Sequence, residues 1–320
     1  MISSAFARFR RGRTAQRDRS GKVCIVIPYF GDWPEWAELF FETCRFNPSI
    51  HWIILNNCPD KAPFPPENIE IRYCTLSDLL RRAESALDIS IAWDVAYKVC
   101  DLRLAFGHIF CDFFKNYSYY GWGDLDVVYG NMSKFLSEEV LSNDCVSFCD
   151  KHLNGHLCIF RNTEATRYAY RALPDWRERM TNPEYTHFDE LAPTELPAFL
   201  RTYCKESFNT PLSPYIPWTN GRFEFPREWY WRDGILTNDK DGDQDFLYLH
   251  FMHWKGGWWP RECGNAQWEK LDRLVHLEPG ECRAGFCINE RGFFPFPQDV
   301  LRDREQEMAR PVRQRLDGTS

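Results

Sequence analysis

Five consecutive apolar residues, Val23-Cys24-Ile25-Val26-Ile27, stop at Pro28. A run without polar alternation predicts a strand covered on both faces, as in a parallel sheet. From Pro34 to Cys44 the apolar positions Trp36, Leu39, Phe40 and Cys44 fall at helical spacing. Trp52 to Leu55 reads as a second buried strand ending at Asn56-Asn57, and Ile69 to Tyr73 as a third. Ser77-Asp78 is then expected to cap a helix running through Leu87. Val99 to Lys115 predicts a further helix, with Leu102, Phe106, Ile109, Phe110 and Phe113 on one face. Short strands follow at Tyr119 to Trp122, Cys145 to Cys149 and Leu157 to Phe160. Strands alternating with helices in this way predict an α/β fold, a mostly parallel sheet with crossover helices.

From about Pro183 the pattern becomes irregular and rich in proline and aromatic residues. Phe223 to Leu236 is expected to form a hairpin turning at Asp233-Gly234, and Phe246 to Phe251 a last short strand. The predicted organisation is a basic arm over 1–21, a Rossmann-type domain over 22–262 and a small C-terminal appendage over 263–320.

Composition narrows the function. The formal charge of −7 gives no general attraction to nucleic acid or phospholipid. Positive charge instead gathers in the arm, at Arg8, Arg10, Arg11, Arg13, Arg17 and Arg19. That arm reads as a solvated tail; helped by Phe6 and Phe9, it reads alternatively as a peripheral tether to an anionic membrane face. The thirteen cysteines are scattered, with no Cys-x-x-Cys pair, which supports neither a zinc site nor a disulfide framework and suits a cytoplasmic location. The aromatic surplus (16 % Phe, Trp and Tyr) fits a ring-rich core, with some rings free to line a sugar groove.

The chemistry concentrates in Gly123-Asp124-Leu125-Asp126-Val127. In extended chain, alternate residues point to the same side, so Asp124 and Asp126 could reach one cation together. Mn²⁺ or Mg²⁺ suits two carboxylates and bridges to phosphate; two solvated aspartates in a turn are the plain alternative. Upstream, Lys98, Asp101 and Arg103 stand where the Val99 to Lys115 helix is expected to begin. Asp101 fits an ordinary helix cap, whereas Lys98 and Arg103 suit neutralising a diphosphate.

Lys98-x-x-Asp101-x-Arg103, an apolar helix and then Asp124-x-Asp126 resemble the sugar-nucleotide core of the DXD-containing glycosyltransferases of GT-A fold. Ile25-Val26-Ile27-Pro28-Tyr29-Phe30-Gly31, Gly155-His156-Leu157, Phe188-Asp189-Glu190 and Leu249-His250-Phe251 are similar to segments of an uncharacterised bacterial group in that class. The resemblance runs from about Lys22 to Lys255. It implies a GT-A-like fold and a metal-dependent enzyme moving a sugar from a nucleotide-diphosphate donor, UDP by default, to a glycan or lipid-linked acceptor. It puts Pro28, Tyr29, Phe30, Asn56 and Asn57 by the nucleotide base, and Asp101 and Arg103 at nucleotide or donor sugar. His250 would complete the metal site, with His253 as competitor. Lys255 would hold phosphate, although Met252-His253-Trp254-Lys255 departs from the glycine-containing linker usual there. Asp189 and Glu190 are the candidate catalytic carboxylates, against a plain acidic helix start. Gly155 and His156 would lie against the sugar, and the aromatic segment Phe223 to Trp231 with Trp254, Trp258 and Trp259 would shape the acceptor groove.

Two other readings compete. A carbohydrate-binding or assembly protein could keep the fold without turnover, but has no use for a diphosphate metal site. A nucleotidyltransferase or phosphotransferase also uses paired aspartates, but no Gly-rich phosphate loop follows the first strand.

Overall fold

The buried run Val23–Pro28 is the inner strand β1 of a seven-stranded sheet. The computed structural model describes residues 23–205, 226–255 and 267–297. The N-terminal arm, Phe223, Trp258, Trp259 and the end of the chain lie outside the described residues.

Strand β1 leads through helix α1 (Ala37–Arg45) to β2 (Ile50–Asn56) and on to β3 (Ile69–Tyr73). Helix α2 (Leu76–Leu87) and the segment 96–109 then return the chain to β4 (Tyr119–Gly123), on the other side of β1. With β5 (Val127–Tyr129), β6 (Cys145–Ser147), β7 (Leu157–Arg161) and β8 (Thr202–Cys204), the sheet order is β3-β2-β1-β4-β7-β6-β8. Strands β3, β2, β1 and β4 are mutually parallel, and β7 is antiparallel to both β4 and β6. The order reverses between β1 and β4. In sheets of this Rossmann-like kind, ligands bind at the carboxyl ends of the strands on either side of such a reversal.

The apolar runs divide by alternation between two cores. Cys24 and Val26 join Leu79, Phe106 and Phe110 on one face. Val23, Ile25 and Ile27 join Phe40, Phe41 and Trp52 on the other. This is why these strands read as unbroken hydrophobic sequence: both faces are covered.

Strands β9 (Glu228–Arg232), β10 (Ile235–Asn238), β12 (Phe286–Asn289) and β13 (Gly292–Pro295) make a second sheet, ordered β10-β9-β12-β13. The expected hairpin is present, with Asp233 and Gly234 at φ 51° and 77°, both left-handed as a tight two-residue turn requires. This sheet crosses the boundary expected at residue 263, because Phe286 and Ile288 lie opposite Trp231 and Trp229. Its core takes in Trp36 and Leu39 from the α1 region, so the described part of the C-terminal segment is built into the molecule rather than appended to it.

Three further expectations need correction. The cap of α2 is Thr75, and Asp78 is the reciprocal third residue of a capping box: Asp78 N donates to Thr75 Oγ1 and Thr75 N to Asp78 Oδ2, each at 3.1 Å. The expected helix from Val99 to Lys115 is a 3₁₀ segment over Ala96–Ala105 followed by one α-turn over Phe106–Ile109. Three residues per turn stacks Lys98 over Asp101, which pair with each other in the interior. The expected strand at Phe246 to Phe251 is shorter, β11 (Tyr248–His250), and pairs antiparallel with β5. No helix among the described residues is long and apolar enough to cross a membrane.

Candidate metal centre at the sheet reversal

Gly123 ends β4 and Val127 begins β5, so Asp124, Leu125 and Asp126 form the link between the large sheet and the two-stranded one rather than part of a strand. Trp36 Nε1 fixes the link by donating to Leu125 O at 3.0 Å. Register then sets the third member: His250 lies opposite Val127, and Phe251 N donates to Asp126 O at 3.2 Å. Ligand atoms of Asp124, Asp126 and His250 all fall within 4.8 Å of one another. Two carboxylates and one imidazole at that spacing could hold a divalent metal ion. The side chain of His253, the competing histidine, lies outside the described residues.

Basic side chains surround the pair. Lys255 Nζ donates to Asp126 Oδ2 at 2.7 Å, and Nε2 of His250 lies 3.5 Å from Asp126 Oδ1. Burial pushes the Asp126 carboxyl up, but Lys255 and His250 outweigh it and hold the group well below the usual carboxylate range. Asp124 goes the other way: burial and the charge of Asp126 raise it against the opposing Arg103. Arg103 is the hub. Its Nη2 donates to Asp124, and its Nη1 donates to Asp189 Oδ2 at 2.8 Å and to Gly155 O at 2.6 Å.

Asp189 is almost wholly buried, and burial, opposed by Arg103 and reinforced by Glu190, pushes its carboxyl up to about 6. Tyr185 OH donates to its other oxygen at 2.8 Å. Glu190 stays half-exposed, 3.1 Å from His187 Nδ1. A Cβ on Gly155 would sit 3.2 Å from both Asp189 Oδ2 and Glu190 Oε1, so the bare backbone here lets the two carboxylates approach. His156 stacks on His250 with ring centroids 4.2 Å apart, and accepts from Asn154 Nδ2 at 3.0 Å. Burial and the neighbouring His250 hold that imidazole well below its ordinary range.

The structure thus brings Arg103, Asp124, Asp126, Gly155, His156, Asp189, Glu190, His250 and Lys255 to one place. It does not bring Lys98 and Asp101 there. Both are buried: Lys98 Nζ pairs with Asp101 and donates to Arg179 O at 2.8 Å. The Asp101 carboxylate is filled by Thr186 N at 2.8 Å, Thr186 Oγ1 at 3.0 Å and Phe188 N at 2.7 Å. Both side chains are buried and bonded to partners within the fold. Asn56 is likewise committed, donating to Tyr29 O at 2.6 Å and Gly31 O at 3.2 Å and accepting from Cys58 N at 2.6 Å. Asn57 Oδ1 accepts from Gly31 N at 2.7 Å. These two asparagines shape the loop that follows Pro28, the last residue of β1, and Pro28, Tyr29 and Phe30 stand half-buried there. Tyr29 faces the centre: burial raises its hydroxyl, with Lys255 opposing and Asp126 adding.

Sequence reasoning missed Trp36, Asn154, Tyr185 and Tyr248. Asn154 adjoins the Gly155-His156 motif and donates to Tyr248 OH at 2.9 Å, tying that motif to β11. Tyr185 stands four residues before Asp189, but nothing local in the sequence marks it.

No curated protein matches the chain. Among solved structures it is similar to mouse xyloside xylosyltransferase 1 in its apo form, with a TM-score of 0.30 and 9 % identity over 52 % of this chain and 73 % of that one. Likeness of that extent is too slight to carry either fold or activity. A family model does match, over residues 25–257, from the first strand to just past Lys255. The chain belongs to that family, described as a family of unknown function, DUF6625.

Proposed function

We propose that this chain is a glycosyltransferase that takes a nucleotide-diphosphate sugar, with Mn²⁺ or Mg²⁺ held by Asp124, Asp126 and His250. The observation that carries the reading is the convergence of those three side chains at the reversal of a parallel sheet. A bound divalent cation would supply positive charge for a diphosphate leaving group. Lys255, on the same side as Asp126, supplies a second phosphate contact. Pro28, Tyr29 and Phe30 lie by the nucleotide base, with uridine the default, and Gly155 and His156 against the sugar.

In the transfer, the acceptor hydroxyl oxygen bonds to the anomeric carbon while the bond from that carbon to the diphosphate oxygen breaks, its electron pair leaving with the diphosphate. The hydroxyl proton passes to a carboxylate. Glu190 is the group for that role, since its carboxylate is accessible, whereas Asp189 is held by Arg103 and Tyr185. Asp189 positions Arg103, which positions Asp124. The acceptor on this reading is a glycan or a lipid-linked glycan in surface polysaccharide synthesis, on the cytoplasmic side.

Thermal unfolding in the presence of nucleoside diphosphates and their sugars, with Mn²⁺ or with EDTA, tests the reading. A ligand of the native state alone raises the midpoint. The expected result is a Mn²⁺-dependent rise with one nucleoside diphosphate series. A folded protein whose midpoint moves with none of them would overturn it.

A further inference from the structure

Among the described residues three non-glycine positions have left-handed φ: Asp88, His187 and Asp233. Asp88 is the C-cap of α2, and Asp233 makes the hairpin turn. His187 terminates no long helix and turns no hairpin. It is held at φ 55° by its neighbours, because the buried Asp101 carboxylate accepts from the N–H groups of residues 186 and 188 on either side of it. Lys98 neutralises that carboxylate from below. A left-handed conformation in a side-chain-bearing residue is unfavourable and persists where its surroundings over-determine it, most often at functional sites.

The consequence is the presentation of side chains. The His187 ring is 63 % exposed, and Tyr185 lies beside it with centroids 4.3 Å apart. Tyr97, itself 58 % exposed, meets Tyr185 edge-on at 4.9 Å. This row of rings joins the metal centre through Tyr185, Asp189, Arg103 and Asp124 in turn. Burial pushes the Tyr97 hydroxyl up, with Cys100 and the negative charges of Asp124, Asp189 and Glu190 adding to it.

We infer that Tyr97, Tyr185 and His187 form a subsite for a pyranose acceptor ring, with Glu190 at its hydroxyl edge and the Lys98–Asp101 pair as the clamp that holds the wall in shape. The inference rests on the glycosyl-transfer reading above. The exposed Tyr97 and His187 rings, set at an angle to the half-buried Tyr185 between them, offer apolar ring surface to the C–H side of a sugar, and the adjoining carboxylate accepts from its hydroxyls, the mix of ring surface and few polar groups that small-ligand sites show. His187 is a positioning residue here, setting Glu190 through their 3.1 Å contact.

Saturation-transfer NMR with methyl glucoside, galactoside, mannoside and xyloside on the full chain, in the presence of Mn²⁺, tests this. At least one pyranoside should receive saturation at its ring C–H protons, and Tyr97→Ala should weaken its binding at least about fivefold. His187→Gly supplies a readout that a purely structural role would not give. It relieves the left-handed strain, so the unfolding midpoint should hold or rise while pyranoside binding falls at least about fivefold. Unchanged pyranoside binding in both variants overturns the inference. So does absence of pyranoside binding in protein that still binds a nucleoside diphosphate sugar, and that outcome leaves the transferase reading standing. Absence of both kinds of binding overturns the two together.

Discussion

Arg103→Met removes one guanidinium and keeps most of the aliphatic stem. It strips the Asp189 carboxylate, which has no exposed side-chain surface, of its counter-charge and leaves it only the Tyr185 hydroxyl. Breaking a buried pair by deleting one partner costs about 3–5 kcal/mol, because the survivor is a buried charge without compensation. Burial already pushes the Asp189 carboxyl up to about 6, so it escapes part of that cost by taking up a proton. The loss should therefore be about 3 kcal/mol at pH 7.5 and smaller at pH 5. Equilibrium urea unfolding gives the value from midpoint and slope. Measured in an Asp189→Asn background, the same substitution should cost less by about 1–3 kcal/mol, the coupling expected of contacting groups. A loss under about 1 kcal/mol, or one that is the same in both backgrounds, would refute the argument that this pair organises the centre.

Two further outcomes follow from the same contacts. Because folding raises the Asp189 carboxyl from 3.8 to about 6, its contribution to stability is full below pH 3.8 and is lost as pH rises through 6. Relative to Asp189→Asn, the parent chain should thus lose about 2.4 kcal/mol between pH 4 and pH 7, most of it between pH 4 and pH 6 and little above; a flat difference in urea unfolding across that range would contradict the assignment. Gly121→Ala places a methyl group 2.2 Å from Cys158 O in β7, where the contact is with backbone that cannot swing aside. It should cost about 2 kcal/mol or more, and a variant that unfolds at the parent's midpoint would show that β4 and β7 do not pack this closely.

The inner strands were legible because their constraint is local: a segment buried on both faces must be apolar at every position, and Val23 to Ile27 is. The hairpin at Asp233-Gly234 was legible for a similar reason, since its turn needs two left-handed residues. Asp124, Asp126 and His250 could be picked out by residue type, but the register that brings His250 beside Asp126 is a pairing across more than a hundred residues and leaves no local trace. The same holds for β12 against β9, which is why the C-terminal segment read as an appendage. Lys98 and Asp101 misled because a charged residue looks alike in sequence whether it faces a ligand or a buried partner. The fold shows that they face each other, one 3₁₀ turn apart in the interior.

The central claim is a divalent-cation site at Asp124, Asp126 and His250, and titration of Mn²⁺ followed by electron paramagnetic resonance tests it most directly. The free-ion signal should fall on adding the protein, in proportion to one site per chain, and a nucleoside diphosphate should deepen the fall. Asp126→Asn should weaken Mn²⁺ binding at least about tenfold, no less than the loss of an outer-shell partner typically costs. A free-ion signal unchanged by the folded protein, or a Mn²⁺ affinity that survives Asp126→Asn intact, would contradict the account.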